Sequence, residues 1–162
     1  MLFSKSGLIA ACFICFAASA ALPATTTGNL SVTATVLDTC IVATGTALTF
    51  ASISPSAVSN ETVPGLITVI CTATRSGLSV TVGAGADAVS GQRQMNDGTN
   101  NLLPYNIFSD AGHAAPVAVG GTIYSGGITA AIPIPISVYG QIPAGSYAAG
   151  VYSDTVLVTL NY

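Results

Sequence analysis

The chain has 162 residues, the length of a single domain with a sizeable core, and 51% of them are hydrophobic while only 6% are charged. Three basic residues against six acidic ones argue against nucleic acid as a partner, because phosphates require clustered Lys or Arg. The apolar, weakly charged composition also argues against disorder and favours a protein that is packed into an assembly.

The first twenty residues predict a signal peptide. Lys5 supplies a basic start, Leu8–Ala17 is an apolar run too short to span a bilayer easily, and Ala18-Ser19-Ala20 is a small-x-small cleavage site. Cleavage after Ala20 leaves two basic and six acidic residues, a net charge of −4. Lipidation of Cys12 is the alternative, although the apolar stretch before that cysteine is only about five residues long.

The next segments of the chain predict an all-β domain. Gly28–Leu37 alternates between an apolar face and a polar face, which is the pattern of a half-buried strand. The apolar face consists of Leu30, Val32, Ala34 and Val36. Further strands are predicted at Ala47–Phe50, Leu66–Ala73, Leu78–Val82, Leu102–Phe108, Ile132–Tyr139 and Asp154–Tyr162. Turn-rich segments separate them at spacings typical of a β-sandwich.

Two of these strands have an additional feature. Pro133 and Pro135 lie two residues apart, so both missing N–H groups fall on the same edge of their strand and predict a sheet edge or a locally broken ladder there. The last predicted strand places an apolar row on one face, and no further element follows it, so its edge must be covered by something else. That row consists of Val156, Val158, Leu160 and Tyr162.

Two cysteines remain after the predicted cleavage, Cys40 and Cys71. In an exported domain they most simply form one disulfide. In the chain-entropy model, a disulfide between these two positions stabilises the folded state by roughly 3–4 kcal/mol. Two cysteines and the single histidine, His113, make no metal-ligand set, so no metal site is predicted.

Motifs for enzymatic chemistry are weak. The run from Gly83 to Ala88 matches the G-x-G-x-x-G/A dinucleotide pattern, but no helix can start after it, so it predicts a Gly-rich hairpin loop. The run 96–101 carries oxygen ligands that calcium prefers but lacks the spacing of a calcium loop, and its Asp97-Gly98 pair predicts a hairpin turn. With no G-x-S-x-G elbow, we expect neither an enzyme nor a cofactor.

Several short segments together carry a family resemblance. They are the alternating segment that ends at Cys40, Leu48-Thr49-Phe50, Val69-Ile70-Cys71-Thr72, Arg93-Gln94-Met95, Leu103 to Asp110, Tyr139 to Gly145, and Tyr152 to Val156. In these the chain resembles the spore coat protein U domain family, which includes major subunits of archaic chaperone–usher pili. It departs from the family at Ala51, where glycine is common, at Pro104, and in having no Trp.

The resemblance implies an incomplete immunoglobulin-like β-sandwich that lacks its last strand. A donor strand from a periplasmic chaperone, and then from a neighbouring subunit at the outer-membrane usher, would complete it. The implied organisation is a signal peptide over residues 1–20, a donor-strand segment over 21–37 and the pilin domain over 38–162. The family pattern places the donor strand on Leu30, Val32, Ala34 and Val36. The alternative is that Gly28–Leu37 is an ordinary first strand of its own domain.

We therefore expect a structural subunit of a surface pilus, exported to the periplasm and then to the cell surface, where it supports adhesion or biofilm formation. Its expected partners are identical or related subunits, a chaperone and an usher, with a homopolymer as the product. Two alternatives remain from the sequence: a structural spore or cell coat protein, and a pilus-borne adhesin module. The length of a single domain favours the adhesin less, because a tip adhesin would be expected to add a second domain.

Overall fold

The computed structural model of the chain describes residues 25–57 and 59–162. The predicted signal peptide lies outside the described residues. Residues 25–35 belong to a separate unit and form no regular secondary structure, whereas residues 36–162 form one compact unit. Within residues 25–57 and 59–162, no helix is long and apolar enough to cross a membrane.

The described part of the compact unit contains ten strands. They are β1 (Cys40–Thr46), β2 (Ser56–Ala57), β3 (Glu61–Cys71), β4 (Arg75–Val82), β5 (Arg93–Asn96), β6 (Leu102–Phe108), β7 (Gly121–Ile128), β8 (Ile134–Ile142), β9 (Gly145–Ser146) and β10 (Val158–Asn161). Five of them form an antiparallel sheet in the order β1-β3-β8-β6-β5, and three form a second sheet in the order β10-β4-β7. The short strands β2 and β9 pair with each other.

The core lies between the two larger sheets because their strands alternate apolar and polar side chains. On β3, Ile67, Val69 and Cys71 are buried and face the interior, while the residues between them are only half-buried. On β4, Leu78, Val80 and Val82 do the same from the opposite sheet. The prediction of an all-β sandwich is thus confirmed.

The predicted strands differ from the observed ones where the chain lacks a pairing partner. Leu102–Phe108 was placed correctly as β6, but Gly28–Leu37 and Ala47–Phe50 form no ladder, and the last strand is reduced to β10. Alternation shows that a segment can face an apolar surface, whereas a strand also needs a neighbour for its backbone groups. Conversely, β7 was missed because its sequence GTIYSGGI has no regular apolar alternation.

Three local predictions agree with the structure. Cys40 and Cys71 form the disulfide, and they are directly opposite each other in the β1–β3 ladder with a Cα–Cα distance of 4.0 Å. Asp97-Gly98 lies in the turn that joins β5 to β6. At Pro135, β8 pairs with β3, while its pairing with β6 covers residues 139–141, so among the described pairings this part of β8 is a sheet edge.

Candidate functional site

A groove opens beside the β10 edge of the second sheet. It lies between the segment 47–54, which follows β1, and the segment 150–158, which leads into β10. Both segments line the same cavity of about 900 Å³, which we call the open groove. The inner face of the five-stranded sheet forms its floor. The floor residues are Ile67, Met95, Leu103, Tyr105, Ile107, Val138 and Ile142.

One wall of the groove is an extended segment with one unpaired edge. From Val151 to Asn161 the side chains alternate between exposed and half-buried, which is the pattern of a strand. The odd-numbered residues turn their backbone groups towards β5 and the end of β4. Leu157 O accepts a hydrogen bond from Gly83 N at 2.8 Å, and Ser153 exchanges two backbone hydrogen bonds with Asn96. Because backbone groups alternate in direction along a strand, the even-numbered residues direct theirs into the groove.

These even-numbered backbone groups are free. In the described part of the chain, the backbone N–H and C=O groups of Tyr152, Asp154 and Val156 have no main-chain partner. Among the described strands, β10, which continues this wall, pairs with β4 alone and is an edge strand. A row of unpaired groups along an edge is a template for a further strand.

The opposite wall is fixed by two glycines of the five-stranded sheet. Leu48 and Phe50 are half-buried, and their side chains pack directly over Gly65 and Gly140. A Cβ atom on Gly65 would lie 2.8 Å from Leu48, and one on Gly140 would lie 2.9 Å from Phe50, closer than side chains tolerate. The segment 47–54 makes no backbone–backbone hydrogen bond with the rest of the described chain, so its backbone is also available.

A polar network fixes the first wall. The Asp154 carboxylate accepts hydrogen bonds from the Tyr105 hydroxyl at 2.6 Å and from the backbone N–H of Ala86 at 2.8 Å. Gly85, at φ +88°, lies so close to this carboxylate that a side chain there would collide with it. Burial, together with the hydrogen bond to Asp154, raises the pKa of Tyr105, so its hydroxyl stays protonated and donates.

Arg93 supports the protein next to this polar network. Its side chain is buried and donates to four backbone carbonyls, those of Val82, Gly83, Val117 and Ala118, at distances of 2.7–3.0 Å. Burial lowers the pKa of its guanidinium, while the negative charge of Asp154 acts in the opposite direction. With its donors satisfied by carbonyls, this cation is a structural group that joins β4, β5 and the segment before β7.

The structure places the predicted site residues in different surroundings. Val156 and Val158 line the groove, and Leu160 packs against the core beyond it. Tyr162 is exposed and lies over the Arg75 guanidinium, 4.6 Å from the ring centre. The four residues of the predicted donor face are exposed. They are Leu30, Val32, Ala34 and Val36.

Sequence reasoning missed three parts of the groove: the second wall, Tyr105 and Asp154. Leu48 and Phe50 carried a usable signal in their alternation, but nothing in the sequence showed that this segment would remain unpaired. Asp154 lies in an otherwise apolar row, and a charge in such a row is a signal for a specific partner. In the described part of the chain, no three His, Cys, Asp or Glu residues cluster as metal ligands would.

Comparison with known proteins identifies the family of the chain and a curated relative. The Spore Coat Protein U domain profile matches residues 26–159. Protein U of Myxococcus xanthus is 29% identical over an alignment that covers 89% of each chain. The profile includes both walls of the groove and the alternating segment from Leu30 to Val36.

A solved structure shares the fold. It is the pre-assembly complex between the chaperone CsuC and the tip adhesion subunit CsuE, from the archaic chaperone–usher Csu pili of Acinetobacter baumannii. The matched chain is 22% identical, with a TM-score of 0.58 over 79% of the present chain. The present chain spans only 40% of the length of that chain. The likeness establishes an immunoglobulin-like β-sandwich.

Proposed function

The chain belongs to the Spore Coat Protein U domain family, and we propose that it is a structural subunit of a surface pilus assembled by a chaperone–usher pathway. The observation that carries this proposal is the open groove, in which two extended walls leave their backbone groups unpaired over an apolar floor. Such a groove suits a strand supplied by another chain. We assign the protein a structural role and no catalytic one.

The donor in this proposal is the segment Gly28–Leu37 of another copy. Its apolar row spans about 20 Å at roughly 3.4 Å per residue, and the groove-lining wall from Val151 to Val158 is slightly longer on the same scale. Its alternate residues, Ser31, Thr33 and Thr35, would face solvent. Burying two valines and one leucine contributes roughly 5–8 kcal/mol before the costs of ordering, and the backbone ladder adds to it.

The donor leaves its own domain at the end that carries the disulfide. Thr72 Oγ1 accepts a hydrogen bond from the backbone N–H of Thr39 at 2.9 Å, and Asp38 forms an ion pair with Arg75. Tyr162 follows the wall that runs from Val151 to Asn161, which we call the edge wall, and it lies over the same Arg75. The edge wall therefore runs towards the disulfide end, and its other end lies beside β5, where Ser153 pairs with Asn96.

This geometry favours a donor that runs antiparallel to the edge wall. In that direction, the disulfide end of each copy meets the β5 end of the next, and copies add head to tail without limit. A parallel donor would bring the disulfide ends of successive copies to one point, where each copy would have to accommodate two neighbours. Antiparallel insertion thus produces a fibre.

The groove cannot remain open in water without cost, because its apolar floor and unpaired edges would associate unspecifically. We propose that a periplasmic chaperone supplies a temporary strand before assembly and that an outer-membrane usher directs the exchange. The signal peptide over residues 1–20, export to the periplasm, display at the cell surface and a role in adhesion or biofilm formation belong to the same proposal.

Electron microscopy of cells with and without this chain tests the proposal, with gold-labelled antibody against the protein as the marker. We expect labelled fibres that are absent from the deletion strain and that return with the wild-type chain. A second candidate function, a component of a coat layer, is favoured by the description of the family itself. Label spread evenly over a coat, with no fibres, would support that candidate and contradict the pilus.

A further inference from the structure

We propose that Asp154 sets the register of the inserted donor strand by selecting Ala34 as its neighbour. This inference rests on the proposed function. It concerns which donor residue lies beside which residue of the edge wall, a choice that the apolar alternation of the donor leaves open. Shifts by two residues keep every side chain on its face, so alternation alone cannot distinguish them.

Asp154 interrupts an apolar wall. The side chains that the edge wall turns inwards are Tyr152, Asp154, Val156, Val158 and Leu160. Asp154 is the only charged group in this row, and its carboxylate is held in place by Tyr105 and Ala86. The carboxylate therefore remains beside whichever donor residue is inserted opposite it.

The groove is also shallow at this position. Tyr105 rises from the floor to reach Asp154, whereas isoleucine, leucine and valine form most of the remaining floor. A bulky apolar donor residue here would meet the tyrosine and would remove water from the carboxylate without offering it a new hydrogen bond. A short side chain avoids both effects.

Only one inward-facing donor residue is short. The row reads Leu30, Val32, Ala34 and Val36, and alanine is the smallest of the four. With the antiparallel direction derived above, Ala34 beside Asp154 places Val32 beside Val156 and Leu30 beside Val158. A shift by two residues in either direction would place a valine beside the carboxylate instead.

Disulfide trapping in assembled fibres tests this register. Directly opposite residues in an antiparallel pair have Cα atoms about 5.5 Å apart, within reach of a disulfide, while residues more than about 7 Å apart cannot be bridged. The native cysteines are already paired with each other. We expect the double variant Val32→Cys/Val156→Cys to give a ladder of linked chains on a non-reducing gel. We expect Val32→Cys/Val158→Cys and Leu30→Cys/Val156→Cys to give none.

Each result has a distinct meaning. A ladder from either shifted pair overturns the register while leaving donor-strand insertion in place. Fibres that yield no ladder with any of the three pairs contradict donor-strand insertion itself, and the register with it. The corresponding single-cysteine variants are the controls, and each should give at most a linked dimer.

A second measurement does not require cysteines. Ala34→Leu should abolish fibre formation, because the longer side chain would collide with Tyr105 and would remove water from the Asp154 carboxylate without offering it a new hydrogen bond. Thr33→Leu introduces the same side chain on the adjacent, solvent-facing row and should leave fibres intact. Equal fibre formation by both variants would overturn the assignment of Ala34 to the shallow position.

Discussion

The Tyr105 hydroxyl donates a 2.6 Å hydrogen bond to the Asp154 carboxylate and thereby joins the inner face of one sheet to the unpaired edge of the other. Few backbone hydrogen bonds hold this edge: between residues 150 and 157 only Ser153 and Leu157 make backbone hydrogen bonds with the rest of the described chain. The pair therefore keeps an extended segment in place that has no strand on one side. The groove can then be formed before its occupant arrives.

Removing this hydrogen bond should destabilise the domain. Tyr105→Phe keeps the buried ring but leaves Asp154 without one of its donors, and we expect a loss of about 1.5–3 kcal/mol in the free energy of unfolding, measured in urea. Tyr124→Phe is the matched control, because the Tyr124 hydroxyl donates to Gly127 O at an exposed site. Its effect should stay within about 0.5 kcal/mol. Equal losses for the two variants would contradict a special role for the Tyr105–Asp154 pair.

The glycine beside this pair should tolerate no side chain. Gly85 and Gly91 both have positive φ, +88° and +84°, so alanine costs about 1–2 kcal/mol at either through the backbone alone. A Cβ on Gly85 would also collide with Asp154, whereas the space around Gly91 is open. We expect Gly85→Ala to lower the free energy of unfolding more than Gly91→Ala does. If the two losses are the same, Asp154 does not occupy the position described here.

Acid should weaken the turn between β5 and β6. Hydrogen bonds from Asn101 and Thr99 lower the pKa of Asp97 from 3.8 to about 2. Because the pKa is lower in the folded state, ionised Asp97 stabilises the fold above pH 3.8, and this contribution is lost as the pH falls towards 2. We expect Asp97→Asn to reduce the pH dependence of the free energy of unfolding in that range. An unchanged pH dependence would show that the carboxylate makes no such bonds in solution.

A charge on the donor face should block assembly. Val32→Asp would place a carboxylate in the groove with no partner, so we expect export to remain normal and fibres to be absent. Thr33→Asp is the matched control, since its side chain belongs to the solvent-facing row and should be tolerated. Export is measured by the amount of periplasmic protein, and fibres are counted by electron microscopy. Normal fibres from Val32→Asp would refute the assigned donor face.

Alternation along the chain was sufficient to predict the sandwich, because buried strands such as β6 must place apolar residues on one face. It could not predict the groove. The segment around Leu48 and Phe50 has the same alternation as a paired strand, and whether it finds a neighbour depends on residues far away in the sequence. The Tyr105–Asp154 pair joins residues 49 positions apart, and no local pattern contains that information.

The predicted donor face shows the same limit of local sequence patterns. Leu30, Val32, Ala34 and Val36 could be recognised as an apolar face from spacing alone, and the structure leaves these side chains exposed. In the proposed assembly, these side chains bind a second molecule. The family resemblance implies binding to a neighbouring subunit, and the unpaired edges of the groove give this binding a physical basis.

Thermal unfolding of the exported chain with and without a peptide copying residues 28–37 tests the central claim most directly. If the groove accepts this strand, the chain without peptide should be unstable or should polymerise, and the peptide should raise the melting temperature and suppress polymers. A peptide carrying Val32→Asp should do neither. A chain that is stable and strictly monomeric by itself, with the same melting temperature in the presence of the wild-type peptide, would contradict donor-strand insertion.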